Sequence, residues 1–279
     1  MEPVMARKMW RTLEPYHGLI YFAPEASAAY EALGIVGRDG YFASRAAAMG
    51  AVPPEVVIAT FFNFNPDVVR HAIPAAWDAA PPGRLVAARL GAADAALRRA
   101  LGGSVDGPEV VRAAALARVA AEACAPDGRA LFAAQSSLPW PTAPHLVLWH
   151  AISLLREFRG DGHIAALVDA HLSGLDALVL HAASGEVPRA VLQSSRAWSD
   201  DAWRDAVSAL SARGMVDVDG AFTDTGAALR QHIEDRTDAL ALAPWEHLGE
   251  RDCDELRGLV RPLSKAIVAG GALGVLPDS

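Results

Sequence analysis

The sequence predicts a mainly α-helical protein, with a helical N-terminal domain followed by a degenerate winged helix that carries a short β-hairpin. Three observations lead to this prediction. Apolar residues recur at helical spacing along most of the 279 residues. Prolines open and glycines close many of these segments, as they do in helices. Near the C-terminus an alternating segment turns back at Asp219-Gly220, the strongest hairpin signal in the chain.

The helices of the N-terminal domain are predicted from their starts and breaks. Residues 7–21 have apolar side chains at helical spacing, with a break or kink at Pro15. Shorter helices follow, which begin at prolines or after an Asp-Gly pair and end at glycines or loops. Two longer helices rich in arginine, alanine and leucine come next. The predicted spans after the first are 24–34, 40–50, 53–62, 65–77, 84–101 and 108–124.

The most informative segment is Trp149–His163, which places two histidines, two arginines, a glutamate and an aspartate on and beyond an apolar helix. A proline-rich stretch precedes it, so a helix over 145–159 is predicted to start after the last proline. Gly160-Asp161-Gly162 is predicted to be a turn, with Asp161 as the N-cap of a helix over about 162–183. This density of charge on an apolar helix indicates the polar rim of a pocket.

A change of pattern divides the chain into a helical domain of residues 1–190, which carries the pocket, and a winged-helix-like domain of residues 191–279. In the second domain, Ser199 is the N-cap of a helix that ends at an Arg-Gly pair. The predicted hairpin follows, with Asp219-Gly220 at its turn. The last two helices are predicted over 226–242 and 250–270.

Residues 199–242 resemble the winged-helix unit of MarR-type regulators. The resemblance rests on Ala209–Asp217 and Phe222–Leu229, where a helix leads into a wing and a Phe-Thr-Asp-Thr-Gly step opens a long helix. It implies a regulator that binds DNA. Because the helix before the wing begins with two aspartates and the wing tip is acidic, nucleic acid is not expected as a partner. A module that only docks a partner protein or supports the fold is the alternative.

The whole chain also resembles a family of actinobacterial proteins. Its opening motif matches Glu14–His17 and Tyr21–Glu25, and a second motif matches Trp149–His163. The resemblance covers nearly all of the chain and implies no particular activity.

Composition limits the classes of function. With 52% hydrophobic and 21% charged residues, the chain is predicted to be a globular, cytoplasmic protein. Its net charge of −8 gives no general attraction for nucleic acid or an anionic membrane surface. The chain has no run of about 18 uncharged apolar residues, so no membrane span is expected. Cys124 and Cys253 belong to no CxxC pair, which is typical of reduced thiols.

The first group of candidate site residues lies near the N-terminus. Tyr21 follows His17 by four residues, so the two share a face of an unbroken helix. Glu14, three residues before His17, is predicted to hydrogen-bond to it and raise the pKa of the imidazole. Together with Tyr16, this group suits acid–base chemistry or a metal or haem ligand. A buried, purely structural histidine is the alternative.

Two further groups lie later in the chain. Asn63 sits among phenylalanines, where its amide is predicted to orient a ligand or to bond a loop. Arg156 and Arg159 are predicted to bind a carboxylate or phosphate. His163, placed in the first turn of a helix, is predicted to have a lowered pKa. A network of salt bridges between helices around Glu157 is the alternative interpretation.

These groups predict a helix-lined pocket that binds a small, mostly apolar ligand. The predicted ligand-binding residues are Tyr16, Tyr21, Phe61, Asn63, Phe64, Trp140, Trp149, His150 and Arg159. The predicted catalytic residues are His17, Arg156, Glu157 and His163. Two alternatives remain: an enzyme that uses His17 or His163 as acid or base, or as a metal or haem ligand, and a ligand-responsive regulator that acts as a homodimer. Standard cofactor and nucleophile motifs are missing, so the cofactor stays open and no metal ligands are assigned.

Overall fold

The computed structural model describes residues 1–271 and is mainly helical, as predicted. The α-helices of this part of the chain are α1 (Val4–Gly18), α2 (Pro24–Glu31), α3 (Arg38–Ala46), α4 (Pro54–Phe61), α5 (Pro66–Ala72), α6 (Ala75–Ala79), α7 (Pro82–Leu101), α8 (Pro108–Glu122), α9 (Ala130–Ser136), α10 (Pro144–Asp169), α11 (Gly174–Ala183), α12 (Arg189–Arg196), α13 (Asp200–Ala212), α14 (Asp224–Leu240), α15 (Ala243–Leu248) and α16 (Glu250–Ala269). Among them no single helix is long and apolar enough to cross a bilayer, although α10 and α11 together, bent by 97°, meet those two criteria.

Helix starts follow the sequence signals closely. Proline is the first residue of α2, α4, α5, α7, α8 and α10. It suits this position because it has no N–H to leave unpaired and its φ is already helical. Side-chain caps start three other helices: Ser173 caps α11, Ser199 caps α13 and Thr223 caps α14.

The predicted turn at Gly160–Gly162 is wrong, because α10 continues through it to Asp169. Asp161 does cap a helix, but a different one. Its carboxylate accepts a hydrogen bond of 3.0 Å from the backbone N–H of Phe132, in the first turn of α9. The glycine at 162 leaves room for a neighbour, since a Cβ there would lie 2.8 Å from Nη1 of Arg129. Both glycines of this triplet are therefore compatible with helix, and packing decides their conformation.

The predicted β-hairpin does not form strands. Within residues 1–271 the segment makes a single antiparallel bridge, between Val216 and Phe222. The carboxylate of Asp217 accepts hydrogen bonds of 2.9 Å from the backbone N–H groups of Asp219 and Ala221. These local bonds occupy donors that a longer ladder would need.

Buried apolar residues form two clusters. The larger cluster takes its residues from α1–α10 and from the segment around α15 and α16. The smaller cluster takes them from the end of α10 and from α11 to α14. Helix α10 contributes to both, with Phe158 in the larger and Ala166 in the smaller. Arg129 marks their border, because its guanidinium donates to the carbonyls of Phe158 and Leu240, where the chain leaves and re-enters the larger cluster.

Candidate functional site

A cavity of about 180 Å³ lies where the two apolar clusters meet, and we call it the junction cavity. Its wall comes from α3, the loop after α4, α10, α11, the end of α12, and α14. The lining side chains with aromatic, amide or ionisable groups are Tyr41, Arg45, Phe61, Phe62, Asn63, Phe64, Arg156, Glu157, Asp161, His163, His181, Arg196 and Arg230. The structure thus brings together six predicted site residues: Phe61, Asn63, Phe64, Arg156, Glu157 and His163.

One side of the junction cavity is aromatic. The ring centroids of Tyr41 and Phe64 lie 5.4 Å apart, and those of Tyr41 and Phe61 lie 5.9 Å apart. Phe42 backs this group from the core, with its centroid 4.9 Å from that of Phe64. Rings packed at these distances form a firm apolar wall of the kind that lines ligand sites.

A buried ion cluster lies against this wall, with the guanidinium of Arg45 4.4 Å from the ring centroid of Phe61. Arg45 donates to both carboxylate oxygens of Glu157, through Nε at 3.0 Å and Nη2 at 2.8 Å. Arg156 donates to the same carboxylate at 2.8 Å. Burial opposes ionisation of Glu157, but Arg156 and Arg45 outweigh it and hold its pKa well below the usual range. One carboxylate is therefore shared by two guanidinium groups, and Arg156 has a second carboxylate partner, Glu14, at 3.8 Å.

Two more arginines line the junction cavity. Arg230 is paired with Glu234 on its own helix. Arg196 has no carboxylate within 4.0 Å among residues 1–271, and its buried Nε has no hydrogen-bond partner there. Its guanidinium lies 4.9 Å from the ring centroid of Phe64. The junction cavity therefore combines an apolar wall with a guanidinium that is free to receive an anion.

His163 also faces the junction cavity, but not for the reason that the sequence suggested. It lies in the middle of α10, so the helix N-terminus cannot lower its pKa. Burial lowers the pKa of His163 to about 4 instead. Nδ1 lies 2.9 Å from the hydroxyl of Thr237 on α14, which fixes the ring. His163 is therefore neutral at pH 7 and can donate or accept a hydrogen bond.

His17 lies in the core, away from the junction cavity. Its Nδ1 is 2.8 Å from the hydroxyl of Ser153, and its Nε2 is 2.8 Å from the hydroxyl of Tyr21, the neighbour expected from the helical spacing. The predicted bond to Glu14 is wrong, because Glu14 accepts from Nε1 of Trp10. The predicted rise in pKa is wrong too, since burial lowers the pKa of His17 well below its ordinary value.

The other predicted residues are dispersed. Tyr16 is buried and donates to the carbonyl of His145 at 3.2 Å. Trp149 and His150 line a second, smaller cavity. Trp140 packs against His150 at right angles, with centroids 4.8 Å apart. Arg159 pairs with Asp238 at 2.8 Å. In residues 1–271 no group of three His, Cys, Asp or Glu side chains is arranged to hold a metal ion.

Sequence reasoning missed Tyr41, Arg45, Arg196 and the cavity position of His181. Arg45 had a usable signal, because it is the one charge in the apolar run from Phe42 to Ala48. A buried arginine needs a carboxylate, and Glu157 was already a candidate. Arg196 offered no such signal, since its place depends on how α12 packs against the loop after α4.

Two helices and a tight turn near the smaller cluster have the proportions of a helix-turn-helix unit. Helix α12 ends at Arg196, and α13 begins at Asp200 after a turn of three residues. Ala197 takes the left-handed conformation in this turn, with φ of 59°. The single bridge between Val216 and Phe222 follows α13, where a wing would lie.

The loop after α4 holds this turn directly. The carbonyl of Asn63 accepts from the indole of Trp198 at 2.9 Å, and Asn65 bonds to the carbonyls of both Arg196 and Ala197. The loop also lies against α11, where a Cβ on Gly174 would be 2.0 Å from the carbonyl oxygen of Phe62. The same short loop therefore lines the junction cavity and positions the turn.

Comparisons with known proteins add one match. A family model described as a helix-turn-helix family matches residues 6–274. No curated protein and no solved structure matches the chain. The match spans both the N-terminal helices and the two-helix unit of α12 and α13, so it includes the junction cavity and the loop that lines it.

Proposed function

The chain belongs to a helix-turn-helix family, and from this premise we propose that it is a ligand-responsive regulator with a MarR-like output unit. In this proposal the junction cavity binds a small anionic effector, and α12 and α13 bind DNA. Membership of this family counts against the expectation that nucleic acid is not a partner. The enzyme alternative that uses His17 has less support, because both ring nitrogens of His17 are bonded inside the core.

One observation carries the proposal: the segment Phe61–Asn65 both lines the junction cavity and hydrogen-bonds to the turn between α12 and α13. Phe61, Asn63 and Phe64 line the junction cavity. Asn63 and Asn65 hydrogen-bond to the turn that joins α12 to α13. An effector that moves this loop by even a fraction of an ångström changes the bonds that orient α13. A coupling of this kind needs an element with two arrangements that both sites bias, and the loop is the candidate.

The cavity indicates the class of effector. At about 180 Å³ it is smaller than the ~300–1,000 Å³ of drug-sized sites, so the effector is small. Its aromatic wall favours a flat apolar body, and the unpaired guanidinium of Arg196 favours a carboxylate. Neutral His163 supplies a hydrogen bond for orientation. Benzoate has a flat apolar ring, a carboxylate for Arg196 and oxygens that accept a hydrogen bond, so it is the probe of choice.

The charge of α13 predicts weak DNA binding that depends steeply on sequence. Residues 189–223 hold five aspartates and four arginines. Arg204 is paired with Asp201, whereas Arg213 has no carboxylate within 4.0 Å among the described residues. With so few free cations, phosphate contacts contribute little, and base contacts from α13 must supply most of the affinity.

The test selects binding sites from a pool of random DNA duplexes and then measures Kd by fluorescence anisotropy at several salt concentrations. We expect enrichment of one sequence, a shallow salt dependence and a further loss in Arg213→Ala. Benzoate should change the Kd of the wild type at least about fivefold, a coupling near 1 kcal/mol. Arg196→Met should abolish the benzoate effect while keeping DNA binding. The variant Arg84→Met, on exposed α7 surface, is the control and should behave as the wild type.

Absence of any enriched sequence, together with Kd values no tighter than ~10⁻⁴ M, would overturn DNA binding. A second candidate output would then stand, because the exposed face of α13 and the turn before Phe222 is acidic. Its exposed aspartates are Asp200, Asp201, Asp205, Asp217 and Asp219. Such a face suits a basic protein partner, since complementary charge speeds and directs association. The expected homodimer stays a prediction, tested by light scattering.

A further inference from the structure

A second cavity, of about 70 Å³, lies nearer the start of α10 than the junction cavity does and holds a buried arginine. Arg89, on α7, is only 5% exposed and lines this cavity. His150, Trp149, Gln135 and Ser44 line it too. The Pro-rich segment before α10 covers it through Leu138, Pro139 and Pro141. We call this space the Arg89 cavity.

The guanidinium of Arg89 is poorly satisfied by the protein. Nη2 donates a long bond of 3.4 Å to the hydroxyl of Tyr21. Nε and Nη1 are buried and have no partner among residues 1–271. The guanidinium carbon lies 5.3 Å from the ring centroid of Tyr21 and 5.4 Å from that of Trp149. Rings attract the cation through their faces, but they do not supply acceptors for the N–H groups at its edge.

No carboxylate balances this charge at close range. Among the described residues, Arg89 has no acidic group within 4.0 Å. Glu157 is the carboxylate that helps to raise the pKa of Arg89, and it already accepts hydrogen bonds from Arg45 and Arg156. Glu14 lies 3.8 Å from Arg156 and so compensates that arginine rather than Arg89. The buried network therefore carries about one positive charge in excess, and an uncompensated buried charge is costly.

A second unsatisfied donor or acceptor belongs to a residue that lines the same space. Nε2 of His150 is buried and has no partner in residues 1–271. Burial lowers the pKa of His150 to about 4, so the ring is neutral at pH 7. A neutral imidazole that carries its proton on Nε2 donates to an acceptor in the cavity. Two buried groups that lack partners and line one space need a common occupant.

We propose that the Arg89 cavity is a binding site for a small anion, an inorganic ion or a short carboxylate such as formate. The volume suits this class, since one water occupies roughly 30 Å³ and the cavity holds about 70 Å³. Water alone would satisfy the N–H groups but would leave the charge unbalanced. The site is separate from the junction cavity and does not depend on the proposed regulatory function.

Bromide locates the site directly. Crystals of the full-length protein grown in sodium bromide are measured at the bromine absorption edge. We expect an anomalous peak within about 4 Å of the Arg89 guanidinium, at normal N–H···Br⁻ contact. Density that refines only as water, with no anomalous signal in the Arg89 cavity, overturns the proposal.

Formate tests the site in solution. The unfolding temperature Tm of the wild type should rise by about 3 °C for each tenfold increase in sodium formate above its Kd. Arg89→Met fills similar volume without charge, and its Tm should follow only the general effect of salt. Arg84→Met, an exposed substitution on the same helix, should keep the wild-type response. If Tm rises equally with formate concentration in the wild type and in Arg89→Met, the proposal is overturned. If Arg89→Met does not fold, the bromide experiment on wild-type crystals decides.

Discussion

The indole Nε1 of Trp198 donates a hydrogen bond of 2.9 Å to the backbone carbonyl of Asn63. Trp198 lies in the turn between α12 and α13, and Asn63 lies in the wall of the junction cavity. The two residues are 135 positions apart in the chain. This contact joins the proposed effector site to the proposed output unit, and the first of four predictions concerns it.

Removing this bond should separate effector binding from the output. Trp198→Phe keeps an aromatic ring but loses the N–H, so we expect a loss of about 1 kcal/mol in the free energy of unfolding. Benzoate should still raise Tm but should no longer change the Kd for DNA. Trp77→Phe is the matched control, because it loses an equal bond of 2.9 Å, to the carbonyl of Val52. If both variants lose the benzoate effect on DNA, the bond has no special part in the coupling.

Gly174→Ala should disrupt the contact between α11 and the loop after α4. Its Cβ would meet the carbonyl oxygen of Phe62 at 2.0 Å, so backbone must move. We expect a loss of about 2–3 kcal/mol in urea unfolding. Gly91→Ala, in open space on α7, should instead stabilise by about 0.5–1 kcal/mol, because alanine is the better helix former. A loss of less than about 0.5 kcal/mol in Gly174→Ala would mean that the loop yields easily.

Glu157→Gln should be strongly destabilising, because it leaves Arg45 and Arg156 without their shared carboxylate in the core. We expect a loss of about 3–5 kcal/mol in the free energy of unfolding. Arg112 and Glu255 form a pair with the same two-bond geometry, at 2.7 and 2.8 Å, on the surface. Glu255→Gln should therefore leave the unfolding curve nearly unchanged. Equal effects of the two substitutions would contradict the burial argument.

Stability should fall as pH is lowered from about 6.5 to about 4. The pKa values of His150 and His163 are lowered by burial from 6.5 to about 4, so in this window the unfolded state binds protons that the folded state does not. Each histidine should contribute about 1 kcal/mol per pH unit to this fall, with its full stabilisation present above pH 6.5. In urea unfolding at several pH values, His163→Gln should reduce the slope of the free energy of unfolding against pH. Substitution of exposed His71 should leave this slope unchanged.

The helical class and most helix starts could be predicted, because proline, serine and threonine act on their immediate neighbours. The continuity of α10 through Gly160–Gly162 could not, since the conformation of those glycines is set by packing against α9 and Arg129. The hairpin signal at Asp219-Gly220 was local and correct as a turn. The turn did not extend into strands, because the carboxylate of Asp217 accepts the backbone N–H groups of Asp219 and Ala221.

The candidate site was predicted in parts rather than as a whole. Asn63 and Arg156 were singled out from separate motifs, and only the packing of the loop against α10 brings them to one cavity. The two interpretations of His17 could not be separated, because a histidine near a tyrosine looks the same in sequence whether its ring nitrogens are both bonded or one is free. Arg89 was passed over, because an arginine at an ordinary helical position gives no sign of burial.

Arg129 binds the carbonyls of Phe158 and Leu240, so both ends of segment 159–240 are held at one point. A segment whose ends adjoin can be gained or exchanged between related proteins without reordering the elements that surround it. The helix-turn-helix unit therefore lies within a segment that leaves and re-enters the larger cluster at one place, so a change confined to this segment keeps the order of the surrounding helices.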